Sequence, residues 1–146
     1  MSWECFDQRE QGWRKYSSTE NYKDAASLII YYLNNKQGLE EYQKITLAHH
    51  AGQMLAFDNN YTEAKVYFKI SLYKLPANNE QIKWNAYVAA TVAFLDKDKE
   101  TILNSKKILE KPSAEDGYCA NLPFIESFIL NFNKTYKEAY EAAFNL

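Results

Sequence analysis

The sequence is short of the residues that interrupt helices. Its 146 residues include four glycines and three prolines, too few for the frequent tight turns of an all-β fold. Two cysteines, Cys5 and Cys119, lie far apart without metal-ligand spacing, so two reduced thiols are expected rather than a disulfide framework. The two histidines, His49 and His50, are adjacent. Neighbouring helical residues point about 100° apart, whereas chelating pairs on a helix sit three or four residues apart. Neither ring has a Cys, Asp, Glu or second His at such an offset, so ordinary groove or surface histidines are expected and no metal.

Other absences narrow the function. No apolar run reaches the roughly 20 residues of a membrane span, and the opening MSWECFDQREQGWRKY has no signal-peptide core. The expected compartment is the cytosol, with no membrane contact. The formal charge is −2, with lysine and glutamate interspersed. No basic face is set apart, so nucleic acid is not an expected partner. The chain lacks a glycine-rich phosphate loop, G-x-S-x-G and H-E-x-x-H. No catalytic residue and no cofactor are therefore expected.

What is present is aromatic and periodic. Twelve Tyr and eight Phe supply large contact areas for a core or an interface. The pentapeptide N-Y-T-E-A at Asn60–Ala64 nearly recurs as N-Y-K-D-A at Asn21–Ala25 and T-Y-K-E-A at Thr135–Ala139. The starts at 21, 60 and 135 are separated by 39 and 75 residues, so a missing copy belongs near 97. There the chain reads DKDKETI, with Asp98 in the Tyr place, Glu100 acidic and Thr101 for Ala. A period of this length is the mark of stacked helical hairpins.

Apolar spacing supports helices. Tyr22, Ala25, Ala26, Ile29, Tyr32 and Leu33 form one stripe. Tyr61, Ala64, Phe68, Ser71, Leu72 and Leu75 form another, which Pro76 is expected to stop. Preceding helices are expected at about 2–16, 41–57, 80–95 and 121–132. Ala25, Ala64 and Ala139 would let paired helices approach closely, and Asp24, Glu63 and Glu138 suit helix N-termini. Glu10–Arg14 and Lys137–Glu141 have ion-pair spacing.

In this register the chain resembles the tetratricopeptide repeat family. The best copy, Ile45 to Asn78, matches the family's unit of about 34 residues. It carries Gly52 and Leu55 in the first helix, Tyr61, Ala64, Phe68 and Ser71 in the second, and Pro76 at the close. Flanking copies keep Tyr22, Ala25 and Ile29, then Ala89 and Val92, then Ser127, Leu130, Tyr136, Ala139 and Ala143. They depart at Trp13, Tyr16, Thr101 and Ser105, as the best copy does at Ala48 and Ala51. The resemblance implies an all-α single domain of about eight helices. Its hairpins, at about 2–34, 41–75, 80–110 and 121–145, would stack as a right-handed superhelix.

It also implies a concave groove that takes a peptide or a partner helix. Carried over by register, the groove comprises Glu10 and Arg14, then His49, Gln53 and Phe57, then Lys83, Tyr87 and Phe94, then Phe124 and Phe128. The implied function is a non-catalytic adaptor or scaffold that binds a protein. A small acidic chaperone and an immunity or inhibitor protein are variants, and an enzyme with an unrecognised helical site is the alternative of another class. The chain finishes at YEAAFNL. Tyr136, Tyr140, Phe144 and Leu146 there predict a homodimer through the C-terminal helices, or a partner docked on them.

Overall fold

A computed structural model describes residues 1–112 and 120–146. Among these it contains nine α-helices, a closing 3₁₀ turn and no strand. The expected thiol of Cys119 and most of the long connection before Pro123 lie outside the described residues. The chain divides into two compact units, Met1–Ser71 and Leu72–Leu146, with two of the four expected hairpins in each.

In the first unit, α1 (Trp3–Asp7) and α2 (Arg14–Ser17) precede α3 (Tyr22–Asn35), α4 (Glu41–Phe57) and α5 (Tyr61–Ile70). Helix α4 packs against both α3 and α5. It is apolar around most of its circumference, as a helix between two neighbours must be. Leu47, Ala48, Ala51 and Ala56 have no exposed surface. The expected helix over 2–16 is instead two short pieces. Gly12 lies so close to the Phe6 carbonyl that a Cβ would sit 2.1 Å from its oxygen. The chain doubles back there, and a continuous helix is impossible.

In the second unit, α6 (Asn79–Asp96) is followed by α7 (Lys99–Glu110), α8 (Leu122–Leu130), α9 (Tyr136–Ala142) and the turn Ala143–Asn145. Helix α6 packs against α7 and α8. Phe94 stacks on Phe128 with ring centres 4.9 Å apart, and Tyr136 closes over both.

The repeated pentapeptides all begin helices. Ala25, Ala64 and Ala139 are fully buried, as close helix contact requires. The side chains of Asn60, Asp98 and Thr135 accept from the backbone N–H three residues on, and Asn21 donates to Asp24. The third copy is shifted by one residue from its expected register. Asp98 is the cap, not the Tyr equivalent, and fully buried Ile102 takes the alanine place instead of Thr101.

One turn geometry recurs ahead of three of these caps. Glu20, Asn59 and Lys97 have φ of 60°, 60° and 59°, the left-handed region that ordinary side chains seldom enter. Each donates its N–H to the carbonyl three residues back: Ser17, Ala56 and Phe94. The following cap residue donates to the carbonyl five back: Tyr16, Leu55 and Ala93. This pair of bonds is the Schellman closure of a helix end. Here the residue that ends one helix directly precedes the cap of the next.

Helix α5 ends before Pro76. Ser71 Oγ donates to the Phe68 carbonyl. The Asn85 amide then binds both backbone groups of Tyr73, accepting from its N–H at 2.9 Å and donating to its carbonyl at 2.8 Å. The chain therefore leaves the helix at Ser71, and Leu75, expected on the inner stripe, is 90% exposed.

Gly52 lies beneath Phe68, where an added Cβ would meet ring carbons at 2.7 to 2.9 Å. Phe68 has no exposed surface into which to retreat. Gly52→Ala should therefore lower unfolding stability by about 1–3 kcal/mol, despite alanine's better helix propensity. Urea denaturation measures this, and an unchanged or raised midpoint would show that the ring yields freely.

Candidate functional site

The most polar part of the interior is in the first unit, around Asp7. Its carboxylate has no exposed surface and accepts from Trp13 Nε1 at 3.1 Å and Gln8 Nε2 at 2.5 Å. His50 Nδ1 lies 2.7 Å from Asp7 Oδ1. The Asp7 carbonyl takes the Arg14 Nε donor at 2.6 Å, and the guanidinium lies over the Trp13 ring. Burial pushes the carboxyl's pKa upward. The bond and charge of His50, with the Trp13 and Gln8 donors, outweigh it and hold Asp7 below the ordinary value.

Because Asp7 is ionised, His50 must present a protonated Nδ1 to it. This fixes the tautomer of a ring whose side chain is 19% exposed. An aspartate that orients an imidazole in this way is a component of general-base sites. The contact also joins two parts of the chain 43 residues apart. It fastens the N-terminal segment to α4.

The expected groove residues fare differently. Glu10 is exposed, but no helix spans 10 to 14, and Arg14 bonds to Asp7 rather than to Glu10. His49 and Gln53 in the first unit, and Tyr87, Phe94 and Phe128 in the second, are buried. His49 packs on Phe68, and Phe94 and Phe128 pack on one another. Phe57 is half-buried against Tyr22, and Phe124 stacks on Tyr140 at 4.8 Å. Lys83 is 9% exposed yet lines a pocket. Of the C-terminal residues expected at an interface, Tyr136 is core, Tyr140 half-buried, and Phe144 and Leu146 exposed.

Each unit carries a concavity among its described residues. An open hollow of about 320 Å³ in the first is lined by Tyr16, Asp24, Ser27, Leu28 and Tyr31. A second, of about 350 Å³, lies between the start of α6 and the end of α7. None of their residues except Lys83 was expected to be functional. In sequence Tyr16 is a departure from the repeat pattern, and Tyr31 lies off the apolar stripe of its helix. Asp7 meets His50 across 43 residues, which no local spacing reveals. Among the described residues no group of three or more metal-binding side chains occurs, and no helix is long and apolar enough to cross a membrane. No family model, curated protein or solved structure matches this chain.

Burial, with the nearby His50, pushes the His49 pKa from 6.5 down to about 3. The unfolded chain then binds a proton that the folded chain does not. Stability must fall as pH drops from 6.5 toward 3, by about 1.4 kcal/mol per pH unit from this group. Asp7 adds a loss at lower pH, because its depressed pKa makes the folded carboxylate harder to protonate than the unfolded one, near 3.8. His49→Gln should flatten the upper part of this slope by about one proton. Urea melts across the range decide it: an equally steep profile in the variant would place the proton elsewhere.

Proposed function

We propose that this chain is a non-catalytic interaction module, a tetratricopeptide-like stack of helical hairpins that holds a segment of a partner protein. The observation that carries the reading is the hollow on the first unit. Tyr31 is 67% exposed and shares the hollow with Tyr16 and Leu28, while Asp24 and Ser27 supply its polar atoms. Tyrosine gives a large amphipathic contact with few torsions to freeze, and such residues anchor protein interfaces. The hollow suits an apolar side chain on an extended or helical segment, with a basic neighbour set against Asp24. The recurrence of one turn before the helices at Tyr22, Tyr61 and Lys99, with a side-chain cap on the last two, supports the repeat character.

Adaptor, chaperone and inhibitor roles would share this contact. A second copy of the chain, joined through the C-terminal helices, is the alternative occupant for the second unit. There Phe144 and Leu146 are 69% and 59% exposed.

The test begins with capture by the tagged full chain and identification of what is retained. The purified partner is then titrated with wild type, Tyr31→Asp and Val66→Asp. Val66, 52% exposed on α5, is outside the hollow and serves as the control. Tyr31→Asp should weaken binding about tenfold or more, or 1.4 kcal/mol, with Val66→Asp unchanged. Unaltered affinity in Tyr31→Asp would remove the hollow from consideration. A self-association abolished by Phe144→Asp, with no other partner, would replace this reading with the homodimer.

A further inference from the structure

Lys83, in the second unit, is a largely buried charge without a counterpart among the described residues. The residue is 9% exposed, and its side chain has neither a hydrogen bond nor an ion pair among the described residues. The side chain lines the pocket of about 350 Å³ with Asn79, Ile82, Ile108, Lys111 and Pro112. The side chain is held where an anion entering the pocket could reach it.

The surroundings select the sign and the kind of ligand. Asn79 is the first residue of α6, a helix of 18 residues capped by Asn78. Its N-terminus brings partial positive charge and outward-pointing N–H groups to the pocket. The Asn78 side chain takes up only the Gln81 N–H. Lys111, exposed and without a described side-chain partner, brings a second ammonium from the far end of α7. That end also presents helix carbonyls, which offset part of the charge, although Lys107 and Lys111 oppose them. Ile82, Ile108 and Pro112 make the remaining wall apolar. The pocket has far more room than a bare phosphate needs.

We propose that this pocket is an oxyanion-binding site. It takes a phosphate or carboxylate group carried on a compact apolar body, with Lys83 and Lys111 as charge partners and the α6 N-terminus as hydrogen-bond donor. The proposal does not depend on the hollow of the first unit. Phosphate and carboxylate share this chemistry, and the probes below distinguish them.

The full chain is titrated with inorganic phosphate and, separately, with acetate, phenyl phosphate and benzoate, following backbone amide shifts by NMR. Saturable shifts at Asn79, Glu80 and Gln81 are expected, with Kd on the order of 1 mM or tighter for the better oxyanion. The aromatic member of each pair should bind more tightly than its small analogue. Lys83→Gln should weaken binding about tenfold and Lys111→Gln by less, whereas Lys15→Gln in the first unit should change nothing. Stabilisation of wild type, but not of Lys83→Gln, by the same ligand in thermal melts gives an independent reading. If Lys83→Gln does not fold, Lys111→Gln and the location of the shifts still decide. No saturable shift with any probe, shifts confined to other residues, or equal affinity in both lysine variants would overturn the proposal.

Discussion

The fold depends on a turn that forces three ordinary side chains into a left-handed conformation. Placing Glu20, Asn59 and Lys97 there costs of order 1–3 kcal/mol each. Two backbone bonds that close the previous helix, and in two cases a side-chain bond that caps the next, offset that cost. The reversal takes so few residues that the next helix must lie beside the one it leaves. Fully buried alanine and Gly52 then become requirements rather than preferences. Lys97 does more than turn the chain: its Nζ donates to the Phe132 and Lys134 carbonyls and lies 4.1 Å from the Phe94 ring centre. One strained residue thus ties the α6–α7 turn to the connection after α8.

The parts legible in the sequence are those governed by local chemistry. A cap residue followed three positions later by an acid, then an alanine, reports a helix start through interactions within one turn. Glu41–Phe57 could be delimited for the same reason. The left-handed residues were hidden because glycine, the usual signal, is absent from all three positions. The break in the first helix was hidden because Gly12 acts through contact with the Phe6 backbone, which a periodic pattern does not encode. The early end of α5 was hidden because Asn85 acts from twelve residues away.

The groove shows a different limit. Helical spacing places Tyr87, Phe94 and Phe128 on inward stripes, but not whether a neighbouring helix covers the stripe. In the second unit Phe94 faces Phe128, Phe132 and Tyr136, so the aromatic run is core. Among the residues that do border open space, Tyr31 and Ile82 stand off the signature positions of the repeat pattern, and Tyr16 departs from it.

Two largely buried ionisable side chains, Asp7 and Lys83, differ in what surrounds them. Asp7 is surrounded by donors from Gln8, Trp13 and His50, and its own carbonyl holds Arg14. Those side-chain donors come from the chain itself, so the group is closed to an outside ligand, and its stability is linked to pH. Lys83 has the opposite sign and the opposite situation. It stands near the positive end of a long helix, with a second lysine lining the same pocket, and no described carboxylate makes an ion pair with it. A methionine would fill the same space without bringing a charge to the pocket. A lysine there has a physical rationale when something carrying negative charge enters from solution.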